Sequence, residues 1–166
     1  MKANIILIGL GNPILGDDGV GWKVVEYLQQ HSSLPTSIDI DFLALGGISL
    51  MERLIGYDQA ILVDAIITGQ HPIGSVLCFE VDELPNLAGG HLAAAHDTSL
   101  QVALQMGHSM DAKLPRRITI IAVEAQSVYD FSEDLTLPIK AAVPEAAKMV
   151  MTVMAESSND PPDVAI

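Results

Sequence analysis

Residues 4–9, Asn-Ile-Ile-Leu-Ile-Gly, form a near-continuous apolar run that passes straight into Gly-Leu-Gly-Asn-Pro. A short run of this kind suits a strand buried on both faces, as in a parallel sheet. The stretch after the loop repeats apolar residues at helical spacing: Val20, Val24, Tyr27 and Leu28. Strand, glycine turn and helix therefore open the chain, and the same alternation continues. Residues 37–45, 58–66, 74–81 and 116–123 read as strands, with 74–81 nearer an edge. Helical patterns fall at about 18–30, in a short piece after Gly46-Gly47, from Asp97 onward, and at Ile139, Val143, Ala146, Val150 and Val153. Thr136 is placed to cap the last helix, and Pro144 is expected to kink it or mark its true start. Such alternation predicts a three-layer α/β sandwich, a mostly parallel central sheet flanked by helices. Residues 1–156 make one domain, and 157–166 have the composition of a disordered tail.

Length agrees: 166 residues can bury one substantial core. No apolar run is long enough to span a bilayer, and the N-terminal apolar run lacks a small-residue cleavage site. The net charge of −13 opposes a phosphate backbone or an anionic lipid surface, which argues against nucleic acid and membrane as partners. With Cys78 as the single cysteine there is no intrachain disulfide and no thiolate cluster, which fits the cytoplasm.

In open α/β sheets, sites form outside the carboxyl ends of the strands. Several polar residues fall there: Asp17 and Asp18 after the first strand, and Asp64 at the end of the third. His96, just ahead of a helix, can reach the same rim. Singly, each has a plain structural use. An aspartate before a helix is a common cap, a strand-end aspartate can serve a turn, and a histidine can pack. Two aspartates in succession exceed what capping needs. Together, two carboxylates and an imidazole make an O,O,N set for a divalent metal, open to solvent and of modest affinity.

Nucleotide binding is disfavoured. Gly9 and Gly11 start a G-x-G-x-x-G pattern that fails at Ile14, Asp17 and Asp18 oppose a pyrophosphate at the helix start, and no G-K-[ST] is present. The opening Gly-Leu-Gly-Asn-Pro is shared with peptidyl-tRNA hydrolases, but their arginine-histidine-asparagine stretch is replaced here by Ile-Leu-Gly-Asp-Asp-Gly-Val-Gly. No G-x-S-x-G elbow exists, and Cys78 falls mid-strand, so a serine or cysteine nucleophile is disfavoured.

The stretch from Gly9 to Leu28, the later Ile-Leu-Val-Asp-Ala-Ile and the His-Asp-Thr-Ser-Leu beginning at His96 resemble the hydrogenase maturation proteases across essentially the whole fold. The resemblance implies a cytoplasmic endopeptidase that removes a C-terminal extension from a nickel-iron hydrogenase large-subunit precursor after nickel insertion. It implies that Asp18, Asp64 and His96 contact the nickel, that Asp18 or Asp64 serves as general base, and that Asp17 is left as the helix cap. Nickel is then carried by the substrate, as a Lewis acid on the peptide carbonyl or only as a checkpoint for loading, and an open site of weak ligands is expected to rest mostly empty. A small enzyme docking on a large precursor can work as a monomer, although the sequence leaves the oligomeric state open. A non-catalytic nickel-binding or escort protein would need the same residues. Three places depart from the family pattern: Leu45 and Ile48 flank Gly46-Gly47, Ala125 stands where proline is frequent, and 128–134 lacks a glycine. These are expected to shape substrate choice.

Overall fold

The computed structural model describes residues 4–86, 100–126 and 130–157. Among the described residues there are five strands: β1 (Ile5–Leu10), β2 (Ile38–Leu43), β3 (Gln59–Ile66), β4 (Val76–Glu80) and β5 (Arg117–Glu124). The helices are α1 (Val20–His31), α2 (Gly47–Leu54), α3 (Leu100–Ser109) and α4 (Leu137–Ser157). Strand order is β2-β1-β3-β5-β4, parallel except for β4, which pairs antiparallel to β5 at one edge. This is the expected α/β sandwich.

Alternation along the strands builds two cores. Leu7, Ile61, Val63, Ile121 and Val123 point to the side covered by α1 and α4. Ile6, Ile8, Leu62, Ile66 and Ile120 point to the side of α2 and α3. All six residues of β1 are buried, which explains why its sequence shows no polar alternation.

Two expectations about helices need correction. A 3-10 turn, Gly16–Gly19, occupies the stretch where the first helix was expected to begin. The last helix runs unbroken from Leu137 through Pro144, so Pro144 is not its start. Pro144 lies on the exposed side, where water can take the carbonyl that a proline leaves unpaired. Ile139, Val143, Ala146, Val150 and Val153 face the core as their spacing predicts. Residues 158–166 lie outside the described residues.

Candidate active site

The site begins with how closely α1 approaches the sheet. A Cβ on Gly21 would run into the carbonyl oxygens of Val63 and Leu10, and one on Gly9 would stand 2.7 Å from the Gly21 oxygen. These two glycines let α1 start directly on the carboxyl ends of β1 and β3. Gly11 turns the chain away from β1 with φ +116°, a value that only glycine holds without strain. Its N–H donates to the Leu43 carbonyl at 3.0 Å, tying the loop to the end of β2.

The next residues close the loop on itself. Asn12 Oδ1 accepts the Ile14 N–H at 3.1 Å, an Asx-type turn. The Leu15 N–H reaches the Asn12 carbonyl at 3.1 Å, and the Asp18 N–H reaches the Leu15 carbonyl at 3.2 Å. The Asn12 N–H donates to Asp18 Oδ2 at 2.7 Å. Asp18 is thereby aimed back over the glycine turn with only 6% of its surface exposed. Burial pushes its carboxyl above the ordinary value, partly offset by the Asn12 hydrogen bond.

Asp64 sits on the neighbouring strand, one residue beyond Val63, which is paired with Gly9. It is 2% exposed, and its Oδ1 accepts the Ala65 N–H at 2.8 Å. Asp18 and Asp64 therefore occupy the carboxyl ends of adjacent strands, as the rim argument predicts. His96 lies outside the described residues. Among the described residues no three His, Cys, Asp or Glu side chains are grouped to hold a metal.

Asp17 corrects the expectation most clearly. Neither the 3-10 turn nor α1 has a side-chain cap. Asp17, 2% exposed, instead accepts the Thr136 N–H at 2.7 Å and the Thr136 hydroxyl at 2.8 Å. Its charge fastens the segment entering α4 to the loop that carries Asp18. Thr136 accordingly spends its hydroxyl on Asp17, while its carbonyl accepts the Lys140 N–H at 2.9 Å.

Glu124 was not singled out by the sequence reading. Fully buried at the end of β5, it accepts the Thr68 N–H (2.8 Å), the Thr68 hydroxyl (2.7 Å) and the Gly69 N–H (2.9 Å). It fixes the loop that leaves β3 just past Asp64. The signal that found Asp64, an acid closing an apolar strand, was present here too. Of the remaining described histidines, His31 stacks on Tyr27, His108 is on α3, and His71 is exposed in the loop that leaves β3. His91 lies outside the described residues. Cys78 is exposed in the middle of edge strand β4, away from this rim.

Comparison with known proteins agrees with this fold. A family model described as hydrogenase maturation protease matches residues 22–153. The hydrogenase 2 maturation protease of Escherichia coli is 26% identical over 153 residues, covering 92% of each chain. The hydrogenase expression/formation protein HupD of Rhizobium leguminosarum is 29% identical over 154 residues, covering 90% of this chain and 73% of that one. Among solved structures, the hydrogenase maturating endopeptidase HybD from E. coli superimposes with a TM-score of 0.77 at 26% identity, covering 95% of this chain and 94% of the other. The chain belongs to the hydrogenase maturation protease family, and it is an endopeptidase.

Proposed function

We propose that this endopeptidase removes the C-terminal extension of a nickel-iron hydrogenase large-subunit precursor once that precursor holds nickel, working in the cytoplasm. The observation that carries the reading is the pair Asp18 and Asp64, buried carboxylates at the ends of adjacent parallel strands. Two almost wholly buried carboxylates at one sheet rim suit a divalent cation arriving at that rim. In this reading the cation belongs to the substrate, and Asp18, Asp64 and His96 are the groups that meet it. Oxygen and nitrogen donors with no thiolate suit a contact that is made and then released.

Hydrolysis needs a water deprotonated as it attacks the scissile carbonyl, and a proton returned to the leaving amine. Asp18 and Asp64 are the carboxylates in position to take that proton. The backbone around them is fixed before substrate arrives, by Asn12 on one side and the Glu124-held loop on the other. Fixed carboxylates lower the reorganisation needed at the reacting bond.

The test is the intact mass of a large-subunit precursor incubated with this protein, with and without prior nickel loading. A C-terminal mass loss that requires both nickel and the protein is the expected result. Asp18→Asn, Asp64→Asn and His96→Ala should each abolish it. Tight nickel binding with no cleavage of a cognate precursor would instead establish an escort role and overturn the protease mechanism for this chain.

A further inference from the structure

The loop that carries Asp18 is bonded along one side to the segment that follows β5. The Gly16 N–H donates to the Ser132 carbonyl at 2.7 Å, and the Ser132 N–H donates to the Ile14 carbonyl at 3.0 Å. Leu15 and Ser132 form a parallel bridge, and Asp17 holds Thr136 four residues further on. Three large apolar side chains stand out from this joined pair. Ile14 is 48% exposed, Phe131 87% and Leu137 82%. Phe131 directly precedes Ser132, and Leu137 directly follows Thr136, so each is attached to a bonded residue.

Scattered exposed hydrophobes are ordinary on a protein surface. Three on one hydrogen-bonded loop pair, continuous with the loop of a buried catalytic carboxylate, are a different case. Their backbone is already ordered, so docking onto them costs little further entropy. Resting on the protease reading, we propose that Ile14, Phe131 and Leu137 form an apolar ledge that receives apolar side chains of the precursor polypeptide beside the cleaved bond. The ledge thereby decides which precursor is accepted.

Charge selects this occupant over others. The exposed acids Asp130, Glu133 and Asp134 flank the ledge, so an anionic lipid surface or a nucleic acid is repelled. A second copy would bring the same carboxylates face to face, in a chain whose net charge is already −13. A neutral or basic polypeptide segment meets no such opposition. Phe131 itself belongs to the stretch 128–134, where the sequence departs from the family pattern, which fits a role in partner choice.

The experiment uses Phe131→Ser and Leu137→Ser, singly and together, with the nickel-loaded large-subunit precursor encoded in the same genome as the probe. Precursor binding is read by biolayer interferometry, cleavage by intact mass, and the chain's own size by sedimentation. Both residues are exposed, so the thermal midpoint should not move. The double variant is expected to weaken binding and raise KM by about tenfold or more, as expected for loss of an interface anchor, with kcat nearly unchanged. A wild-type protein that cleaves, with a double variant of unchanged KM and affinity, would refute the ledge and leave the protease reading standing. A wild type that binds without cutting, with binding lost in the variant, would do the reverse. A wild type that neither binds nor cuts would overturn both. A wild-type dimer that the substitutions split would assign the ledge to a second copy and overturn the proposal.

Discussion

Replacing Asp17 by alanine separates its structural role from the chemistry proposed for Asp18. The wild-type carboxylate accepts two bonds at 2.7 and 2.8 Å, both within the range of charge-assisted hydrogen bonds. Bonds to a charged group contribute about 1.5–3 kcal/mol each. Thr136 is exposed, so its freed donors regain water and the lower end applies. Asp17→Ala should therefore cost about 3 kcal/mol, which in a chain of this length lowers Tm by about 6–12 °C. Thr136→Ala deletes only the hydroxyl bond and should cost about half as much. The double variant should be barely worse than Asp17→Ala alone, because the hydroxyl then has nothing to bond. Thermal melts of the four proteins give the coupling energy directly. A Tm loss under about 1 °C for Asp17→Ala, or single losses that simply add in the double variant, would refute the clamp. Asp17→Asn should still cleave precursor at a temperature where it is folded. Loss of activity there would show that Asp17 itself does chemistry.

Three further expectations follow from the same geometry. Asp18→Asn keeps an acceptor for the Asn12 N–H and removes a buried charge whose carboxyl lies above its ordinary value of 3.8. A carboxyl raised on folding lowers stability only above its unfolded value, so this variant should melt higher than wild type at pH 7, and the gain should shrink as pH falls toward 4. Equal gains at both pH values would contradict the burial argument. Gly21→Ala drives a methyl into two backbone oxygens that cannot move away; urea denaturation should show a loss of about 3 kcal/mol or more with unchanged m. Glu124→Ala frees three donors of the loop after β3, so hydrogen exchange at Thr68 and Gly69 should accelerate selectively. Protection equal to wild type would remove Glu124 from any positioning role.

Much of this was legible because the informative patterns are local. The central strands β1, β3 and β5 are nearly all buried and apolar over most of their length, while the edge strand β4 is shorter and has no buried residue. The rim positions of Asp18 and Asp64 follow from strand ends, which a sequence marks well. What could not be read depends on distant partners. Asp17 looks like a cap because caps are local, but its partner lies 119 residues away. Pro144 reads as a breaker, yet one exposed proline is tolerated in a helix whose opposite face is anchored by Ile139, Val143 and Ala146. Glu124 was passed over although it carries the same strand-end signal as Asp64, because the three donors that keep it buried come from another loop. The exposure of Phe131 is likewise invisible in sequence.

The tie between Asp17 and Thr136 also sets an order of events during synthesis. At the usual translation rates of about 5–20 residues per second, the 119 residues that separate them take about 6–24 s to emerge. Through that interval β1, its glycine loop and α1 exist without the partner that holds the Asp17 carboxylate. β5, which pairs with β3 inside the sheet, and α4, which packs on α1, also arrive late. The nascent chain therefore carries the Asp17 carboxylate without its partner until the segment entering α4 has left the ribosome.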